Sequence, residues 1–234
     1  MPSNFLVRAS QLSRLMTEPK LKSDKDSGAL SETAKSLVTE IWMKDSFGYK
    51  ENVVTDEMMK GLVCEQDSIA LVQDILGGEF RIKNTTHFSN DYVQGTPDII
   101  RNSEDFCEDV KTSYTLRTFL EAEHKKGSAY WWQGQAYMWL TGKTQYRLMY
   151  CLVETPEDIL NEQKKRFYFK FGCDEGNKNY QEIAEQIDRN NSAINNIKKE
   201  SRLKIFEFPK DDECIEKIKI QHSKALNFYL TLRI

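Results

Sequence analysis

The chain has 234 residues, 39% of them hydrophobic and 29% charged, which suits one compact domain with helical additions. No apolar run approaches the roughly 20 residues a membrane span needs, and the opening "MPSNFLVRASQLSRLMTEPK" lacks the uninterrupted apolar stretch of a secretion signal. The expectation is a single cytoplasmic domain with no membrane partner. A formal charge of -3 leans slightly against a nucleic-acid binder, although a basic groove or a bound divalent ion can hide inside such a sum.

Residues 9–17 offer a short helix, and the polar "EPKLKSDKDSGA" after it reads as a mobile connection. Ser31 caps a helix that Gly48 stops. "TDEMMKGLVCEQDSIALVQDIL" reads as one helix after Thr55, closed by Gly77-Gly78, with Leu62, Ile69, Val72 and Leu76 at helical spacing and Glu65 in its middle. Residues 79–112 change character: "EFRIK", "HFSNDYVQ", "TPDIIR" and "FCEDVKT" read as short strands of an antiparallel meander.

Ser128 then caps the aromatic helix "AYWWQGQAYMWLTG", and "TQYRLMYCLVE" has the continuous apolar character of an inner strand. Thr155-Pro156 opens another helix that ends at Gly172, and "NYQEIAEQIDRNNSAINNIKKE" reads as a long polar one. "RLKIFEF" is a further strand, and Asp211 starts an amphipathic helix with Ile215, Ile218, Leu226 and Tyr229 on one side. Helices before and after a small sheet define an α/β or α+β layered domain.

Candidate chemistry concentrates in "YVQGTPDIIRNSEDFCEDVKTS". Side chains alternate along a strand, so Asp109 and Lys111 share a face and Glu108 and Val110 take the other. If the strand holding Pro97-Asp98 pairs with theirs, Asp98, Asp109 and Lys111 can converge at one rim, where carboxylates suit Mg²⁺ or Mn²⁺ and a lysine can orient or deprotonate an attacking water. A turn aspartate followed by a surface strand is the bland alternative. Two features favour the site: Glu65 lies one turn beyond Gly61, and Gln133 and Tyr137 are four apart on one helix face.

Other motifs carry less. Cys64, Cys107, Cys151, Cys173 and Cys214 form no CxxC pair and read as reduced, mostly buried thiols. His87, His124 and His222 are scattered, with no metal-ligand spacing, and His124 alone lies near the aromatic helix. "TGKT" lacks the first glycine of a phosphate-binding loop. Trp131, Trp132, Trp139 and Tyr130 are chiefly core rings. Lys125-Lys126 is a candidate phosphate contact, whereas Lys164-Lys165-Arg166 reads as a solvated face.

The order Gly-x-x-x-Glu, Gly-x-Pro-Asp, Asp-x-Lys and Tyr-Trp-Trp-Gln-x-Gln-x-Tyr, over residues 58–153, resembles the PD-(D/E)xK nuclease superfamily and, within it, the phage lambda-type (YqaJ-like) exonuclease branch. The early "RASQLSRLMT", with Ser10, is similar to that branch's Ala-Ser helix. The resemblance implies a restriction-endonuclease-like core: a small mixed sheet flanked by helices, one nuclease domain spanning 1–234, with a C-terminal helical elaboration from 156. It implies Asp98 and Asp109 as metal ligands, assisted by the Val110 carbonyl and by Glu65 directly or through water, with Lys111 on the attacking water and Gln133 and Tyr137 as active-site polar groups.

The implied cofactor is Mg²⁺, with Mn²⁺ as substitute and no iron–sulfur cluster, because Cys151, Cys173 and Cys214 are too dispersed. Arg8 and Arg14 are the candidates for gripping a 5′ phosphate. The implied activity is 5′-to-3′ digestion of double-stranded DNA ends in phage or mobile-element recombination, alongside a single-strand annealing protein and in a trimeric ring. Alternatives are an endonuclease or helicase-linked nuclease of the same superfamily, or a non-catalytic DNA-binding module.

Overall fold

The computed structural model describes residues 5–51 and 54–234, so the first four residues of the stretch read as no signal lie outside it. The chain opens with β1 (Val7–Arg8), a 3-10 turn at Ala9–Gln11 and α1 (Leu12–Leu15). α2 (Lys22–Asp26) lies inside the polar stretch expected to be a mobile connection. α3 (Glu32–Phe47) starts where the Ser31 hydroxyl accepts from Ala34 N and stops at Gly48, whose φ of 65° a side chain resists.

The single helix expected after Thr55 is two: α4 (Asp56–Val63) and α5 (Glu65–Leu76), broken at Cys64. The break has local causes. Lys60, fully buried, donates from Nζ to the carbonyls of Tyr114 (3.0 Å) and Val153 (2.9 Å), and Cys64 Sγ lies 3.6 Å from the Glu154 carbonyl. These contacts tie α4 to the loops leaving the sheet, so Leu62, expected on the apolar side, is exposed. Glu65 therefore opens a helix and does not sit in the middle of one.

The expected meander also divides. β2 (Phe88–Ser89) and β3 (Val93–Gly95) form an antiparallel hairpin, and β1 adds in parallel to make a small sheet, β1-β3-β2. β4 (Ile99–Ile100) and β5 (Phe106–Thr112) belong to a second sheet. "EFRIK" is not a strand: Arg81 turns inward and its N–H goes to the Gln73 side chain instead of a ladder, leaving Phe80 and Ile82 exposed.

After α6 (Leu116–Leu120), α7 (Ala129–Thr141) is capped by Ser128 and closed by Gly142, as expected. β6 (Gln145–Cys151) then runs parallel to β5, a pairing that needs a crossover, and α6 and α7 supply it. α8 (Glu157–Lys170) and α9 (Lys178–Ser192) follow, the second shorter than expected because 3-10 turns replace it from Ala193. β7 (Leu203–Pro209) and α10 (Asp212–Tyr229) complete the chain.

The main sheet has the order β4-β5-β6-β7, with only β5 and β6 parallel. One face, carrying Cys107, Tyr146 and Leu148, packs under α7 together with the apolar sides of α1, α3 and α10. Its opposite, carrying Ile99, Val110, Met149 and Cys151, packs against Ile69, Leu71 and Val72 of α5. Trp131 is buried and Tyr130, Trp132 and Trp139 pack on the core, so the rings are structural, as read. The cysteines are free thiols, all buried except Cys173. Among the described residues no helix is long and apolar enough to cross a membrane.

Candidate active site

β4 is only two residues long and pairs Ile99 with Glu108, which brings Asp98, just before it, against the middle of β5. Asp98 Oδ2 accepts the Val110 amide at 2.8 Å. Asp109 and Lys111 emerge on the α7 face of β5, as alternation requires, and Lys111 Nζ stands 2.5 Å from Asp109 Oδ2. That contact is an ion pair, and among the described residues neither oxygen of the 1%-exposed Asp109 carboxylate has a directed hydrogen-bond partner. Lys111 also lies 5.3 Å from the centre of the Tyr130 ring, which helps hold a cation there.

The electrostatics of this pocket are those of crowded acids. Burial, and then the charge of Asp109, push the Asp98 carboxyl up to about 8 against the opposing pull of Lys111. Burial alone would depress the Lys111 ammonium, but Asp109 and Asp98 outweigh it and hold its proton above the usual range. Tyr137 and Tyr146 are pushed up by burial and then by Asp109. One buried and one half-buried carboxylate, the buried one with no directed partner, are oxygen donors that suit a hard divalent ion, and the lysine beside them keeps its charge.

α7 supplies the roof. Gln133 Nε2 donates to Tyr137 Oη at 3.0 Å, so the amide and phenol expected to share a pocket are bonded to each other, both buried. Gly95, of the Gly-x-Pro-Asp stretch, lets that phenol ring in: a Cβ there would lie 2.7 Å from Tyr137 Cε1. Gly134 does the same for the helix as a whole, since its Cβ would meet Tyr146 and Phe208 of the sheet at 2.7–2.8 Å.

Glu65 is the expected ligand that stands apart. Its carboxylate pairs with Lys83, and no group of three or more acidic, histidine or cysteine side chains suited to a metal occurs among the described residues. Lys83 is nonetheless close to the site by chain path, because the next residue, Asn84, donates its amide to the Asp98 carbonyl at 2.7 Å.

Arg8 and Arg14 come together, lining one cavity of about 370 Å³ with Gln11, Glu40 and Gln94. Arg14 is held there by Glu40 at 2.5 and 2.8 Å, whereas Arg8 is exposed and makes no ion pair among the described residues. Ser10 is exposed on the adjacent turn. Lys125 and Lys126 are exposed and pair with Glu123 and Asp211. His124 stacks on Phe208 at 4.2 Å, and His222 is bonded to the Phe5 carbonyl.

The sequence reading missed the partners of Glu108. This fully buried acid takes Arg81 Nε at 3.0 Å and Arg147 Nη1 at 2.5 Å on the face away from Asp109. A charged residue alternating into an apolar face was the available signal for Glu108. Nothing local singled out Arg81 or Arg147.

Compared with known proteins, the sequence matches no protein-family model and no curated protein. The fold does find relatives. A phage-related exonuclease from Haemophilus somnus 129PT superposes with a TM-score of 0.77 at 28% identity, over 97% of this chain and 94% of that one. The alkaline exonuclease LHK-Exo from Laribacter hongkongensis shares the fold at 15% identity with a TM-score of 0.61, over 96% and 88%, and its complex with dAMP matches at 14% with the same score. The motif order, the mixed sheet that presents it and the likeness to the Haemophilus protein match this chain to the lambda exonuclease-like PD-(D/E)xK family.

Proposed function

We propose that the chain is a divalent-metal-dependent deoxyribonuclease that digests linear duplex DNA from its ends, with 5′-to-3′ polarity. The observation that carries this reading is the Asp98, Asp109 and Lys111 cluster: a half-buried carboxylate bonded to the Val110 amide and a buried one without a directed hydrogen bond, the latter in contact with a half-buried ammonium. Asp98, Asp109 and the Val110 carbonyl would hold Mg²⁺ or Mn²⁺, which when bound supplies Lewis acidity to the phosphoryl oxygen and a nucleophile at neutral pH. Glu65 joins that set only when its pair with Lys83 opens.

The remaining work falls to the chain itself. Lys111, kept protonated by the two aspartates, steers the attacking water with its N–H groups and offsets charge developing on the phosphate. Gln133, fixed by Tyr137, presents an amide under the roof, where it can hydrogen-bond a phosphate oxygen or orient a carboxylate. The cavity of Arg8 and Arg14 is the part assigned to a terminal phosphate in this reading, supported by Gln94 on its wall, four residues before Asp98. Work in the cytoplasm, in phage or mobile-element recombination with a single-strand annealing protein, and a ring of three copies giving processivity belong to the same reading.

The test is to incubate wild type and Lys111→Ala with end-labelled linear duplex and a covalently closed circle, in Mg²⁺ or EDTA. Mononucleotides from the linear duplex alone are expected, needing metal and slowed by about 10²–10³-fold in the variant, with the 5′ label released first. Nicking of the circle would instead indicate an endonuclease, and absence of cleavage in Mg²⁺ and in Mn²⁺ added in its place would remove the catalytic role of the cluster.

A further inference from the structure

The charges behind β5 form a circuit that returns to the active site. Glu108 lies directly opposite Ile99 on one side and Arg147 on the other, and Arg147 lies opposite Glu207. The ion pairs Glu108–Arg147 (2.5 Å) and Arg147–Glu207 (2.6 Å) therefore run straight across three strands. The third partner, Arg81, reaches Glu108 from outside the sheet and is itself pinned by Gln73 Oε1 on its amide and the Gly77 carbonyl on Nη1. Three residues on, Asn84 donates its amide to the Asp98 carbonyl (2.7 Å) and its side chain to the Pro97 carbonyl (3.0 Å). Asp98 closes the loop by accepting the amide of Val110, two residues from Glu108.

This matters because Asp98 hangs on a two-residue edge strand, whose short ladder leaves it little to hold it in place. Its partner carboxylate sits on a seven-residue inner strand paired on both sides. We propose that Arg81 and Asn84 are positioning residues that fix the Asp98 carboxylate relative to Asp109, with Glu108 as the anchor on the far face of the sheet. The proposal rests on the nuclease reading of the cluster. Buried ion groups of this kind are also found as structural fixtures, and one replaced by apolar residues often leaves stability unchanged, so the discriminating readout must lie at the site.

The experiment uses the full chain as wild type, Arg81→Met, Arg81→Lys and Asn84→Ala. It measures Mn²⁺ affinity, hydrogen exchange of the Val110 amide in the metal-free protein, and kcat and KM on linear duplex. Arg81→Met leaves Glu108 its Arg147 partner and should still fold. Expected are Mn²⁺ binding weakened about 10-fold, the usual cost of losing a group that orients a ligand, faster Val110 exchange, and kcat lowered with KM within twofold. Arg81→Lys should recover part of each loss, and Asn84→Ala should shift all three readouts in the direction of Arg81→Met.

Folded variants with Mn²⁺ affinity and Val110 exchange within twofold of wild type would overturn the proposal. If Arg81→Met does not fold, Asn84→Ala alone decides by the same criterion. Failure of the wild type itself to bind Mn²⁺ or cut DNA would remove the nuclease reading and this proposal with it, an outcome distinct from a defect confined to the variants.

Discussion

Two carboxylates crowded into one partly buried pocket destabilise a protein that holds no divalent cation between them. Asp98 and Asp109 are in that position, with one lysine for the pair, and the Asp98 carboxyl responds by keeping its proton far above the usual range. Sites kept for function at the expense of stability are relieved by neutral substitutes. Asp98→Asn should therefore raise the Tm measured in EDTA by about 2–8 °C, the shift given by ~1–2 kcal/mol in a chain of this size, while abolishing Mn²⁺ binding. A lowered Tm in EDTA would mean that the Asp98–Val110 hydrogen bond outweighs the repulsion. Strand alternation put Asp109 and Lys111 on one face and separated Asp109 from Glu108 without tertiary information, whereas Asp98 joined them only through the pairing assumed for its strand and the family resemblance. It had no means to find Arg81, whose partner is 27 residues away.

At the scale of elements, the unexpected break between α4 and α5 follows from Lys60, an ammonium buried with two carbonyl partners and, among the described residues, no carboxylate in an ion pair with it. Burial pulls its pKa down to about 8 from 10.5. The folded chain thus binds fewer protons than the unfolded one between about pH 8 and 10.5, so stability rises with pH across that window and is flat below it. In urea unfolding, wild type should gain about 2 kcal/mol between pH 7.5 and 9.5 relative to Lys60→Met, as a shift of that size implies. Equal pH dependence in the two proteins would show that Lys60 keeps an ordinary pKa in the fold. Helix periodicity alone ran through this break, because Leu62 and Leu76 fit the repeat although both are exposed. Capping chemistry fared better: Ser31 and Ser128 accept the amides their positions predict, and Thr55 and Asp211, read as helix starts, prove to be caps as well.

For the molecule as a whole, a divalent ion that binds only the assembled site should stabilise the entire fold. Saturation at 100 times Kd contributes about 2.7 kcal/mol, which predicts a Tm increase of roughly 5–10 °C in Mg²⁺ over EDTA, absent in Asp109→Asn. An equal rise in that variant would locate the ion elsewhere. The sequence by itself determined the starts of the helices after Ser31, Thr55, Ser128 and Asp211, the inner strand β6, and that Asp109 and Lys111 share one face of their strand, because caps, apolar runs and alternation are local properties of the chain. Only the tertiary structure decided that 79–112 divides between two sheets, that Glu65 pairs with Lys83, and that Arg81 reaches Glu108. Those outcomes depend on which distant backbone and charge partners the packed helices bring within reach, and no periodicity in the chain encodes that choice.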